Sequence, residues 1–320
     1  EVPSVVNTSA GVKAVSKERV RISVENKVVY ATLLAKPEKI FVGRLHRKGM
    51  YRIGLQEPEI FIGNHREKLL EVNLTDSEMN VIFATSENEG NLDAVNTWDN
   101  QSISFGMFQW TAGGPGKPGE LPALIKIVKE RYPDDFQHYW GQFGLDVVDV
   151  DKKTGWFSYR GKKLASAADK AMLREHIWAY RFVRAGADIE VQAAQILHAI
   201  NRIHQFYSVK SSKLDGYALV DLITSEYGVA LLLDNHVNRP GYIRGCVAAA
   251  LERSNLTAAE MARGGDEEEQ LLIKNYLDIR QTYGKHPMTD ARQRAAVTRG
   301  YVVDGIISDR RGSFVSSAWG

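Results

Sequence analysis

The segment SENEGNLDAVNTWDNQSISFGMFQW, Ser86 to Trp110, constrains this chain more than any other. An apolar helix should feed it from one side. A glycine- and aromatic-rich hairpin should close it on the other. Two acidic residues, Glu89 and Asp99, flank the junction. Cleavage of a glycosidic bond commonly needs one protonated and one ionised carboxyl group facing each other across a cleft.

The helix can be read in detail. Thr75 to Glu78 has the form of a capping box, in which the threonine hydroxyl accepts a backbone N–H and the glutamate reaches back. Met79, Ile82 and Phe83 recur at helical spacing, and Gly90-Asn91 is a stop signal, so a helix is expected over 76–89. Glu87 and Glu89 fall in its last turn. The negative end of the helix dipole raises a carboxyl pKa there, and burial against Ile82 or Phe105 would raise it further, as an acid catalyst near neutral pH requires. The helical wheel barely separates the two glutamates.

The hairpin offers two readings for most of its residues. Asp99 lies in Trp98-Asp99-Asn100, where it either bonds nearby backbone in a turn or activates water. Asp93 reads as structural, capping the turn after the helix. Thr97 and Ser104 suit orientation of water or sugar hydroxyls, and equally suit ordinary strand positions. Phe105 and Phe108 are assigned to the core. Trp98 and Trp110 are left open between core and sugar stacking, because alternate strand positions must face inward.

The run Glu89-Gly90-Asn91-Leu92-Asp93-Ala94-Val95-Asn96, followed by Ser104-x-Gly106-x-x-Gln109, resembles the signature of lysozyme-like glycosidases, notably lytic transglycosylases and related peptidoglycan hydrolases. The resemblance implies that Glu89, not Glu87, is the catalytic acid, and that Gly106-Met107-Phe108-Gln109 packs behind the cleft. Gly90 stands where transglycosylases usually carry serine. Asp99 stands where many have no carboxylate, which leans towards hydrolysis with a general base. Two further segments, LLLDNHVNRPGYI (Leu231 to Ile243) and LDIRQTYG (Leu277 to Gly284), resemble chitosanase helices. The same resemblance implies substrate contacts at Thr97, Ser104, Gln109, Asn238 and Arg239. The alternative for the polar cluster after Leu233 is that it satisfies helix-end carbonyls.

The rest of the chain sets the frame. Its 320 residues suit one large or two ordinary domains. Residues 1–70 read as a small β-rich domain, with strands in RVRISVENKVVYATLLA, RKGMYRIGL and EIFIG. Residues 71–320 read as a mainly helical, lysozyme-like catalytic domain with one small hairpin, giving an α+β fold overall. Helices are expected over 121–131, 167–185, 189–206, 215–226, 229–237, 243–254 and 267–283, with a capping box at Thr257 to Glu260. Strands are expected over 102–110, 302–307 and 312–315. Gly113 to Gly119, GGPGKPG, reads as a mobile loop and lacks the spacing of a phosphate loop.

Partners and cofactors follow from the same reading. The eight histidines form no H-E-x-x-H pattern, and neither a metal nor any other cofactor is expected. Cys246 sits in an apolar run as a structural thiol. A net charge of +2 permits an acidic wall polymer as partner but does not argue for nucleic acid. No apolar run approaches membrane-span length. The expected substrate is peptidoglycan or a related amino-sugar polymer, cut in the periplasm or outside the cell. A chitosanase, or a non-catalytic wall-binding or phage-tail module, is the alternative. No pattern fixes the oligomeric state.

Overall fold

The computed structural model describes residues 19–317. Strands β1 (Val20–Glu25), β2 (Val28–Leu33), β3 (Lys36–His46) and β4 (Gly49–Arg52) form an antiparallel meander. In β2, Val29 and Ala31 are buried while Val28, Tyr30 and Thr32 are half-exposed, the period of two that defines a one-sided strand. The meander does not stop at β4. It continues through β5 (Val95–Asn96), β6 (Ser104–Phe105) and β7 (Trp110–Thr111), so seven strands lie side by side in chain order.

That continuity revises the expected boundary at residue 70. Tyr51 pairs with Asn96 and Arg52 with Val95, so the strands before residue 70 and the hairpin after it share one ladder. The last part of the expected β region is also helical. EIFIG lies in α1 (Pro58–Asn64), followed by α2 (Arg66–Glu71). Pro58, Phe61 and Ile62 are buried there at helical spacing, and proline at the first turn presets the backbone angle. A short apolar run fits either period, and tertiary burial decided this one.

Helix α3 (Asp76–Ser86) begins with the expected capping box: the Thr75 Oγ1 accepts the Glu78 N–H at 3.0 Å, and Glu78 accepts the Thr75 N–H at 3.0 Å. It ends three residues early and passes into a turn. Next come α4 (Leu121–Arg131) and α5 (Pro133–Tyr139). A second sheet, absent from the sequence reading, joins β8 (Leu145–Val148), β9 (Trp156–Tyr159) and β10 (Lys162–Lys163). The helix expected over 167–185 is broken into α6 (Ala167–Lys170), a 3-10 turn over 171–174, and α7 (His176–Gly186).

The remainder is helical: α8 (Ile189–Tyr207), α9 (Leu219–Leu222), α10 (Glu226–Asn238), α11 (Ile243–Arg253), α12 (Ala258–Arg263), α13 (Asp266–Arg280) and α14 (Ala291–Val303). Only α9 occupies the expected helix over 215–226. Helix α14 takes the place of the strand expected from 302, and no strand forms over 312–315. Every residue from Glu226 to Asn235 is buried, where α10 packs against α3, α11 and α14. No helix among the described residues is long and apolar enough to cross a membrane.

Removing the N-terminal strands should therefore cost the fold, not merely an appendage. A chain starting at Glu71 would lose β4, one of the two partners of β5, and the groups that Thr97 and Asp93 bond. Thermal unfolding followed by circular dichroism should show the truncated chain melting ~10 °C or more below the full chain, the scale for losing a few kcal/mol in a protein of this size. An unchanged melting temperature would restore the separable domain.

Candidate functional site

Glu89 is placed by a set of backbone clamps. After α3, the Glu89 N–H donates to the Ser86 carbonyl at 2.8 Å, closing the turn. The next N–H, of Gly90, donates to the Met107 carbonyl at 2.9 Å, joining this turn to the one between β6 and β7. A Cβ at Gly90 would stand 3.2 Å from that same carbonyl, so glycine permits the close approach. Gly106 has φ +78°, and a Cβ there would meet the Gln195 Oε1 at 2.1 Å. Gln195, fully buried on α8, ties both loops together: its Nε2 donates to the Leu92 carbonyl at 2.8 Å, and its Oε1 accepts the Met107 N–H at 3.2 Å.

Asp93 fastens the same loop to the N-terminal sheet. Its Oδ2 accepts Arg52 Nε at 3.1 Å and Nη2 at 2.7 Å, and its Oδ1 accepts the backbone N–H groups of Leu55 and Gln56. Asp93 is thus structural, as expected, but its partners lie before residue 70.

The two glutamates now separate. Glu87 is exposed and accepts the Tyr301 hydroxyl at 2.6 Å. The Glu89 side chain is 10% exposed. Burial pushes its pKa up to about 7, against the opposing pull of Arg294, with nearby Asp234 adding to the rise. Arg294, on α14, hydrogen-bonds Glu89 Oε1 and the Asn88 carbonyl, and pairs with Asp234 Oδ1 at 2.6 Å. Asp234, buried on α10, also accepts Arg280 Nη1 from α13 at 2.9 Å. Four charged side chains from four parts of the chain form one line: Glu89, Arg294, Asp234, Arg280. Arg202 also bears on Glu89, lowering its pKa, and is held by both oxygens of Glu120 at 2.7 and 2.6 Å.

The sequence reading missed Arg294, Arg280 and Gln195 as site residues. Asp234 and Arg280 lay within the two chitosanase-like segments. Arg294 lay in a stretch assigned to no element. His198 and His236 are no rivals for the acid role: burial, with Arg202 adding to it, drives both pKa values down to about 3, so both are neutral near pH 7.

The other expected site residues are drawn into local structure. Asp99 stands in the turn between β5 and β6, and its Oδ1 accepts the Gln101 N–H at 2.8 Å. Thr97 is fully buried and its Oγ1 accepts the Met50 N–H at 3.0 Å. The buried Ser104 hydroxyl donates to Gln109 Oε1 at 3.0 Å, while Gln109 Nε2 donates to the Gly106 carbonyl at 2.9 Å. These three brace the hairpin from within. Asn238 donates to the Asp234 carbonyl at 2.9 Å, and Arg239 to the carbonyls of His286 and Asn238, both at 2.7 Å. That is the helix-end alternative for the cluster after Leu233.

The glycine-rich loop over 113–119 is not a free tether. The buried ammonium of Lys170 donates to the carbonyls of Ala112, Gly113, Gly114 and Lys117 at 2.7–3.0 Å. Burial pushes its pKa down to about 8, still above neutrality, so the charged form holds the loop at pH 7. Asp135, Asp188 and Glu190 come together elsewhere, but Asp188 there caps α8 and accepts the Tyr139 hydroxyl at 3.0 Å.

No protein-family model matches the chain, and no relative is found among the curated proteins.

The raised Glu89 pKa has a consequence for stability. The folded protein keeps a proton at Glu89 that the unfolded chain releases near its ordinary value of 4.5. Stability contributed at this residue should therefore fall as pH rises from 4.5 to about 7. Melting temperatures of the wild type and Glu89→Gln, compared from pH 4 to 8, should move in the variant's favour across that interval. A difference that stays flat with pH would mean that Glu89 titrates normally.

Proposed function

We propose that this chain is a lysozyme-like glycosidase cutting β-1,4 bonds of bacterial peptidoglycan, with Glu89 as the general acid. The observation that carries the reading is a nearly enclosed carboxyl group bonded to Arg294, at the residue the signature motif nominates; its burial pushes the pKa up to about 7. Such a group holds a transferable proton at neutral pH. When the proton passes to the glycosidic oxygen, the carboxylate left behind faces Arg294, whose position is fixed by Asp234 and, through it, by Arg280. The ionised product of proton transfer thus meets a preformed counter-charge.

The second half of the reaction is less tied to one side chain. Asp99 would direct water, but one of its oxygens is engaged in its own turn. That arrangement favours attack by an acetamido oxygen of the substrate, or the transglycosylase outcome, over a dedicated aspartate base. A wall substrate would place the activity in the periplasm or outside the cell.

One observation keeps a chitosanase as the second reading. The two chitosanase-like segments supply Asp234 and Arg280, which meet in an ion pair beside Arg294. The charges around Glu89 count against it. Glu89, Asp234 and Glu120 are matched by Arg294, Arg280 and Arg202, and a polycationic substrate favours an acidic excess.

Mass spectrometry of products from purified peptidoglycan tests the proposal. Wild-type protein should release fragments, with reducing ends from hydrolysis or anhydro ends from transglycosylation. Glu89→Gln should lower the rate at least ~100-fold, the low end for removing a general acid. Glu87→Gln should keep most activity. Cleavage of chitosan with peptidoglycan untouched would install the second reading. No release from either polymer would leave a binding module.

Asp99→Asn separates the mechanisms. If Asp99 only shapes its turn, the amide keeps the oxygen that accepts the Gln101 N–H, and the rate should fall by less than about tenfold. A loss comparable with that of Glu89→Gln would make Asp99 the base.

A further inference from the structure

The sheet face away from the core carries a row of aromatic rings among its polar residues. Cross-strand pairing puts Tyr30 beside Phe41 and Arg44 beside Tyr51, with ring contacts continuing from Tyr51 to His46 and from His46 to Trp98. The ring centroids lie 6.4 Å apart for Tyr30 and Phe41, 6.0 Å for His46 and Tyr51, and 4.9 Å for His46 and Trp98. Phe41 and Tyr51 are 39% and 37% exposed. They line, with Arg44, Arg52, Ile53 and Leu55, a surface cavity of about 370 Å³. A row of exposed rings on a sheet face offers stacking surfaces for a ligand.

Cations border the aromatics. Lys39 stacks on Tyr30 but is paired with Glu25 at 2.5 Å. The Arg44 and Arg47 side chains have no hydrogen bond or ion pair among the described residues. The Arg47 guanidinium lies 4.6 Å from the Trp98 ring centre. Arg47 also sits in the left-handed region, φ +49°, at the turn between β3 and β4.

We propose that this face is a second binding surface for carboxylate-bearing glycan. Sugar C–H faces would stack on Phe41, Tyr51 and Trp98, and carboxylates would pair with Arg44 and Arg47. The proposal rests on the reading of function given above. Two observations select this occupant. The unpaired charges are positive, which complements an acidic polymer and repels chitosan. The end of the row opposite Trp98, at Phe41, meets Arg52, which is held by Asp93 in the loop that follows Glu89. A chain bound along the row would therefore have the loop that carries the candidate acid at its Phe41 end. Two unpaired arginines are too few to track a phosphate backbone as a single-stranded nucleic acid groove does.

The test uses full-length Glu89→Gln, so that bound polymer stays intact, and soluble peptidoglycan strands carrying free stem-peptide carboxylates. Adding Arg44→Gln and Arg47→Gln should weaken binding roughly tenfold, the combined loss of two exposed charge contacts and one ring contact. Arg47→Lys should recover part of it. Strands with amidated stems should bind the parent weakly and be insensitive to the arginine changes. In protein with Glu89 intact, the same arginine changes should leave turnover of short fragments unaltered.

Unchanged affinity in the folded double variant would overturn the surface, whatever the enzyme cleaves. So would tighter binding of chitosan or of single-stranded DNA than of peptidoglycan. Weakened binding by the variant, with no cleavage by wild type, would keep the surface and discard the catalytic reading.

Discussion

A carboxyl group that is to ionise inside a protein needs a fixed counter-charge, and the one beside Glu89 organises the helical body. Glu89, Arg294, Asp234 and Arg280 come from the turn after α3 and from α14, α10 and α13. Each charge alone would be expensive to bury, and each is acceptable because its neighbour is fixed. The line also explains why α10 must be fully enclosed. Asp234 lies on its innermost stretch and has to receive an arginine from each side. Chemistry and packing make the same demand on this helix.

The sheet supplies the other half of the placement. Short strands such as β5, β6 and β7, two residues each, cannot hold a hairpin by their own ladder. The longer N-terminal strands carry them, and Asp93 and Thr97 lock the seam through Arg52, Leu55, Gln56 and Met50. Gln195 then fixes the Glu89 loop against the hairpin from the helical side. Strands that read as part of a separate β-rich region in the sequence share one sheet with the hairpin beside the candidate acid.

What was readable from sequence was local. The capping boxes at Thr75 and Thr257 formed because both partners lie three residues apart. Helices α4 and α8 appeared nearly where their apolar spacing put them. The mixed α+β class followed from the same patterns. The misses were non-local or ambiguous in period. EIFIG had too few residues to tell a strand from a helix. The GGPGKPG loop was read as mobile from its glycines and prolines, whereas Lys170, more than fifty positions away, cages its carbonyls.

The same division holds at the site. By itself the sequence determined that a carboxylate pair would stand at the end of a capped helix, before a glycine- and aromatic-rich hairpin. Its helical wheel could not separate Glu87 from Glu89, because a wheel assumes that the helix continues, and the choice of Glu89 came from the resemblance alone. The tertiary structure separates the two physically, by ending α3 at Ser86, leaving Glu87 outside with Tyr301 and turning Glu89 into the protein. It also supplied Arg294, whose pairing with Glu89 spans 205 positions and has no local signature. Burial and long-range charge set a pKa, and neither is a property of neighbouring residues in a chain.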